Sequence, residues 1–237
     1  MPLFSWLPKR LHDRWARARI YRRREITALL ERSGFEVLEA RYLTAPMDVV
    51  GWAPLRDALR ATLFRGDTTP EQLAKLRPAF SKDGTITAGN ASSINDGAAM
   101  LLVAGSEALQ QHGLSPIARI VASATHSLAP ENFADAPAEV IRKVVDKAGL
   151  QLQDIDLFEI NEAFAAVPLF AIKQLRIDPD KVNVNGGAVS IGHPIGASGA
   201  RVLNTLLFEM QRRDAKKGLA TLCIGGGMGV AMCLERD

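Results

Sequence analysis

The run LATLCIGGGMGVAMCLER, Leu219–Arg236, decides how the rest of the chain is read. Two apolar stretches flank three glycines, the pattern of two buried strands joined at a turn. A cysteine, Cys223, stands two residues before the first glycine, where the strand would end. Backbone N–H groups exposed at such a turn can lower a thiol pKa and can also bind an oxyanion. The plainer alternative is a small buried core residue, the usual fate of a free cysteine. Cys233, midway along the second stretch, reads as core.

Upstream, strands and helices alternate. IARIVASATH (117–126) reads as a strand, PAEVIRKVVDKAGL (137–150) as a helix, and IDLFEI (155–160) as a strand. NEAFAAVPLFAIKQL (161–175) then reads as a helix, and VNVNGG (182–187) as a short strand and turn. GHPIGASGARVLNTLLFEMQRRD (192–214) is a glycine-rich turn entering a long helix. Nearer the start of this region, GTITAGNASS (84–93) is a loop of small residues. INDGAAMLLVAGSEALQQHG (94–113) is expected to be one largely buried helix ending at Gly113. Alternation of this kind, with glycines at strand ends, argues a layered α/β architecture.

The 237 residues are 47% hydrophobic and 23% charged, which suits a soluble chain with a real core. No apolar run is long enough for a membrane span. Two cysteines make no disulfide framework and no zinc pattern, and they fit a reducing, cytoplasmic setting. Charge is uneven: residues 1–64 carry 12 Lys+Arg against 7 Asp+Glu, and residues 65–237 carry 17 against 19. The first 24 residues hold eight basic side chains and one acidic. That segment has three readings: a transit peptide, a basic helix anchored by Trp6 and Trp15 on a membrane or nucleic acid, or a solvated basic face. The last is the commonest fate of a charge run.

Three stretches combine small residues with reactive groups: NEAFA at 161–165, NGGAVSIGHPIGASGAR at 185–201, and the opening quotation. All fall beyond expected strand ends, where α/β proteins gather functional groups. His193 lies in a glycine-dense turn, and Asn161 reads first as a cap for the helix after it. GGGMG lacks the Lys-Ser/Thr of a phosphate loop, and no GxGxxG follows a strand. On spacing alone, a Cys–His enzyme and a core cysteine beside a turn histidine remain equally open.

KDGTITAGNASSINDGAA, EINEAFA, NVNGGAVSIGHPIGASGAR and LATLCIGGGMGVAMCLE occur here in order. Together they resemble the C-terminal portion of thiolases, of the biosynthetic acetyl-CoA acetyltransferase type, over residues 65–237. The resemblance implies Claisen condensation or thiolysis of acyl-CoA, with coenzyme A thioesters as substrates and no other cofactor or metal. It implies that Cys223 moves the proton at the α-carbon and that His193 polarises the substrate thioester. Asn161 would hold a water completing the first oxyanion hole, and the Gly225 N–H would serve a second. Ser92 would hydrogen-bond the pantetheine arm, Phe164 would line its channel, and Arg65 would lie beside the adenine. Ser93 departs from the glycine common there, adding bulk near the pantetheine.

The family fold packs two similar α/β halves into a five-layered sandwich. The resemblance therefore implies a complete second half at 116–237, and at 65–115 the end of the loop domain with the last elements of the first half. The acyl-accepting cysteine is expected to be missing, because neither Cys223 nor Cys233 has its context. Expected partners are acyl-CoA and either a homo-oligomer or a complementary thiolase half, with no nucleic acid and no membrane span. An exposed apolar face with no partner would make the chain poorly soluble. The alternatives are a non-catalytic CoA-binding or oligomerisation module and a fused gene fragment. Residues 1–64 resemble the C-terminal end of a class I S-adenosylmethionine-dependent methyltransferase, without its cofactor loop, which implies a small α/β segment there.

Overall fold

The computed structural model describes residues 73–237. Within it, Leu76–Asn95 and Ala99–Asp237 gather into one compact unit. The methyltransferase-like expectation for 1–64 and the adenine role of Arg65 lie outside the described residues.

The glycine turn organises the sheet. Strand β3 (Lys217–Ile224) and strand β4 (Met228–Glu235) pair antiparallel, with Ile224 opposite Met228 across Gly225–Gly227. Gly226 and Gly227 take φ of 88° and 85°, a left-handed conformation that costs glycine little. A Cβ on Gly227 would stand 2.3 Å from the Leu128 carbonyl oxygen. In return, Leu128 N–H donates to the Gly227 carbonyl at 2.7 Å, which ties the turn to the end of strand β1 (Arg119–Ser127). β1 pairs antiparallel with β4, and strand β2 (Leu157–Ile160) pairs parallel with β3. The order is β1-β4-β3-β2.

Helices cover both faces. Helix α1 (Ser106–His112) precedes β1, and helix α2 (Ala136–Lys147) follows it. Helix α3 (Ala166–Leu175), the short helix α4 (Ala188–Ile191) and helix α5 (Ser198–Arg213) lie between β2 and β3. Val140, Ile141, Val144 and Val145 of α2 recur at helical spacing. They bury with Val167 and Ala171 of α3 against Phe158, Ile160, Leu219, Cys223, Ala231 and Cys233. The alternate strand residues Leu157, Ala220 and Leu234 face the other way, onto Val202, Leu206 and Met210 of α5. Each fully buried aliphatic side chain here contributes roughly 1.5–3 kcal/mol. At the outer edge, Lys147 and Lys143 of α2 reach across to β1, donating to the Ser123 and Thr125 carbonyls at 3.0 and 2.9 Å.

Three sequence expectations change. The helix expected over 94–113 is only α1, and 95–105 carries no regular secondary structure. Through 95–101 exposure alternates residue by residue, the period of an extended chain, and Met100, Leu102 and Val103 are largely exposed. The uniformly apolar AAMLLVA run between two glycines has no periodicity to separate helix from strand, so the misreading has a physical cause. Second, VNVNGG contributes one bridge, Val182 to Phe158, and then turns. The Asn183 side chain replaces the expected strand: its Oδ1 accepts from Ile160 N–H and its Nδ2 donates to the Ile160 carbonyl, both at 2.8 Å. Third, α3 starts at Ala166, leaving 161–165 free for the site.

Two buried carboxyls oppose one another in charge state. Glu209 of α5 accepts from Arg212 Nε at 2.8 Å, from Asn185 Nδ2 at 2.9 Å and from Arg213. The Arg212 hydrogen bond, followed by that of Asn185, holds its pKa down to about 2. Burial pushes Glu159 of β2 up to about 8, helped by repulsion from Glu162 and Glu209.

Gly227→Ala is expected to destabilise the fold by about 2–3 kcal/mol, from left-handed strain and a backbone clash. Gly199→Ala in α5, whose Cβ would meet nothing within 4 Å, is expected to be neutral or stabilising by up to about 1 kcal/mol. Urea midpoints of the two variants check this. Glu159 binds its proton more tightly folded than unfolded, so its contribution is complete below the ordinary carboxyl value. That contribution is lost as pH rises toward its folded value of about 8. Urea unfolding across that range should show stability falling, and Glu159→Gln should flatten the fall.

Candidate active site

The site forms where the loops after β2 and α4 meet, beside the carboxyl end of β3. Asn161 N–H donates to the Thr221 carbonyl at 3.0 Å, extending the parallel β2–β3 pairing by one residue. That places Asn161, 2% exposed, beside β3 two residues short of Cys223. Its side chain caps no helix, which corrects the first reading of this residue. Asn161 Nδ2 instead lies 3.3 Å from His193 Nε2. Asn161 Oδ1 is buried and meets no hydrogen-bond partner among the described residues.

The other ring nitrogen, His193 Nδ1, lies 2.6 Å from Ser198 Oγ at the start of α5, and that oxygen is also 3.0 Å from the Pro194 carbonyl. The single Ser198 proton decides the tautomer. Donated to Pro194, it leaves Nδ1 carrying hydrogen and Nε2 accepting from Asn161. Donated to Nδ1, it leaves an Nε2–H able to point at a substrate oxygen. Burial first, and the Arg201 guanidinium second, hold the imidazole below its ordinary pKa, so it is neutral at neutral pH.

The loop 90–94 ties the loops of Asn161 and His193 together. Ser92 N–H donates to the Ala163 carbonyl at 3.1 Å, and Ala165 N–H donates to the Asn90 carbonyl at 2.8 Å. From the other side, His193 N–H donates to the Ser93 carbonyl at 2.8 Å. Ser92 Oγ also donates to Ala163 O, at 2.9 Å, so its hydroxyl proton is committed and its lone pairs face outward as acceptors. Phe164, half-buried, packs edge-on to Phe80 and Phe133 with ring centres 5.9 and 6.1 Å away. Glu162 anchors the same loop, accepting from Asn183 Nδ2 and from the Val189 N–H, both at 3.0 Å. A Cβ on Gly187 would fall 2.2 Å from the Glu162 carboxyl carbon, so a side chain there would push that carboxyl off its two donors.

Cys223 is buried at the end of β3, opposite Gly229, and Gly225 is exposed in the turn. Burial raises the thiol pKa, outweighing the lowering from its own backbone N–H. The thiol is therefore protonated at neutral pH and can give a proton before it can take one. Cys233 is completely enclosed and pushed up to about 11. The structure thus brings Asn161, His193, Ser92 and Phe164 into one linked loop assembly. Strand position sets Cys223 and Gly225, and among the described residues neither bonds to His193 or Asn161.

Sequence reading missed Ser198, Arg201, Asn183 and Glu162. The first two stand in the quoted GASGAR stretch, where a serine three residues before an arginine fits one helical turn. Among the described residues no cluster of His, Cys, Asp and Glu is arranged to hold a metal, and no helix is long and apolar enough to cross a membrane.

The family model described as the thiolase C-terminal domain matches residues 114–236, and the thiolase N-terminal domain model matches 59–107. The chain belongs to the thiolase family. Acetyl-CoA acetyltransferase of Paracoccus denitrificans is 59% identical over 173 residues, which cover 73% of this chain and 44% of that enzyme. The Escherichia coli K12 acetyl-CoA acetyltransferase is 56% identical over 172 residues, with the same coverage. Among solved structures, the Bacillus anthracis acetyl-CoA acetyltransferase superposes with a TM-score of 0.69 at 50% identity, over 72% of this chain and 43% of that one. Human mitochondrial 3-ketoacyl-CoA thiolase in complex with CoA superposes at 0.67 with 42% identity, over the same shares. The chain thus spans less than half the length of these thiolases. Over this region it is built on a thiolase-like α/β fold.

Iodoacetamide should alkylate Cys223 slowly at neutral pH and faster only above the ordinary thiol range, with Cys233 the slower of the two. Peptide mass mapping across a pH series measures both. Fast neutral labelling of Cys223 would contradict a buried, protonated thiol.

Proposed function

We propose that this chain carries the proton-transfer and first oxyanion-hole half of a thiolase-type acetyl-CoA C-acetyltransferase. The supporting observation is the placement of Asn161 and Ser198 against the two ring nitrogens of His193, beside the strand end that bears Cys223. In this reading a second acetyl-CoA places its thioester oxygen at His193 Nε2–H. The buried Asn161 Oδ1 offers the acceptor for a water completing that hole. In condensation, the Cys223 thiol first gives its proton to the CoA thiolate that leaves as the acyl-accepting cysteine is acylated. The resulting thiolate then takes a proton from the α-carbon, giving an enolate whose charge rests on the thioester oxygen. The α-carbon attacks the acyl-enzyme carbonyl, the new C–C bond forms, and the acyl–sulfur bond breaks to return a cysteine thiolate. Thiolysis reverses each step, with the Cys223 thiol returning the proton to carbon. Gly225 N–H, with the nucleophile's own N–H, would hold the oxyanion of the acyl-enzyme. Ser92 would accept from a pantetheine amide, Phe164 would line that arm, and Arg65 would lie beside the adenine.

The acyl-accepting thiol must come from elsewhere. The sequence contains only Cys223 and Cys233, one assigned to proton transfer and the other enclosed in the core. The reading therefore includes a complementary thiolase half that brings this thiol; a homo-oligomer, the other expected assembly, would not bring it. A second reading, a non-catalytic CoA-binding or oligomerisation module, is favoured by the exposed apolar side chains of Ile195 and Phe208. The change of charge near residue 64 also suits a fused fragment whose first part is methyltransferase-like.

The test is thiolysis of acetoacetyl-CoA by the purified chain, alone and mixed with a thiolase N-terminal half, alongside CoA binding. Activity only on mixing is expected. Cys223→Ser and His193→Ala should each lower it by roughly 10²–10⁴-fold. Turnover by the chain alone would refute the missing nucleophile. Binding of CoA without turnover in any mixture would select the module.

A further inference from the structure

One cation beside the site has no part in the chemistry above. Arg201 sits in the first turn of α5, three residues after Ser198. Its Nη2 donates to the Gly192 carbonyl at 2.6 Å, and Gly192 is the residue immediately before His193. Gly192 itself is buried with φ 87°, and a Cβ there would fall 2.1 Å from the Asn95 side chain. The turn that carries His193 is therefore strained for any other residue and is fastened at three points. The Ser93 carbonyl takes the His193 N–H, Ser198 takes Nδ1, and Arg201 takes the Gly192 carbonyl.

We propose that Arg201 is a positioning residue for His193: its guanidinium clamps the Gly192 carbonyl, fixing the histidine turn, and sets a permanent cation beside the imidazole. A charge-assisted bond to a carbonyl at this length is among the stronger ones a side chain makes. The cation disfavours imidazolium, so His193 stays neutral with one nitrogen free to accept and the other to donate. From β2, Glu159 is the carboxyl coupled to Arg201, and burial together with the nearby Glu162 and Glu209 keeps it protonated below about pH 8. A neutral Glu159 adds no opposing charge of its own beside Arg201. Lysine cannot replace this arginine fully, because a point charge lacks the planar fork that reaches the carbonyl.

The inference rests on the His193 role proposed above, and it is tested without acyl-CoA, on the full chain. The readouts are the His193 imidazole titration, followed by NMR and assigned by its loss in His193→Ala, and the exchange rate of the His193 backbone amide. Arg201→Met should move the titration to higher pH and speed amide exchange. Arg201→Gln, which keeps donors and loses charge, should move the titration; Arg201→Lys should keep the titration low and speed exchange. A merely structural arginine would lower the melting temperature in all three variants without this split. An unmoved titration in both Arg201→Met and Arg201→Gln, or in Arg201→Gln alone where Arg201→Met does not fold, overturns the proposal. Failure of the thiolysis assay leaves these readouts untouched, so the two readings fall separately.

Discussion

Backbone hydrogen bonds made by residues 90–94 hold the site together. The segment has no helix or strand of its own to stabilise it. Even so, Asn90 and Ser92 bind the loop after β2, and Ser93 binds the loop that carries His193. Asn161 and His193 descend from different elements, separated in sequence by α3 and α4, and this middle segment bonds to the loop that follows Asn161 and to His193 itself. Small side chains make the arrangement possible, because a bulky residue between two closely spaced loops would push them apart. The same compactness explains why the Ser92 hydroxyl proton goes to Ala163 and leaves only acceptor capacity for a ligand.

Charge is handled differently on the two faces of the sheet. The face under α2 and α3 is apolar throughout, apart from Thr221, whose hydroxyl is satisfied by the Val230 carbonyl at 2.8 Å. The α5 face holds Glu159, Glu209 and Arg201, and there burial and pairing sort the carboxyls into one neutral and one ionised. Removing Glu209's partners would take away the hydrogen bonds that hold its carboxyl ionised. α5 is therefore both a packing element and the support of the histidine turn.

Much of this was legible in the sequence, and the exceptions share a cause. The glycine turn, the strands around Cys223 and the long helix after GASG follow from patterns that local chemistry enforces. Asn161 was misread because an asparagine before a helix is ordinarily a cap, whereas here α3 begins four residues later than a cap would require. VNVNGG was misread because a side-chain amide, that of Asn183, stands in for a strand partner, which periodicity cannot reveal. The 95–105 run defeats periodicity altogether, since its apolar residues are continuous. Ser198 and Arg201 carry no functional signal in the sequence alone, because what marks them is their distance to His193 and to Gly192.

The two lysines laid along β1 bear on how this molecule can associate. Their ammonium groups occupy the Ser123 and Thr125 carbonyls, the acceptors an incoming strand would use to extend the sheet at that edge. Growth by backbone pairing is blocked there by positive charge. Association is then left to side-chain surfaces such as those around Ile195 and Phe208, where recognition depends on shape and apolar fit. Such surfaces discriminate between partners, whereas an open strand edge accepts almost any extended chain.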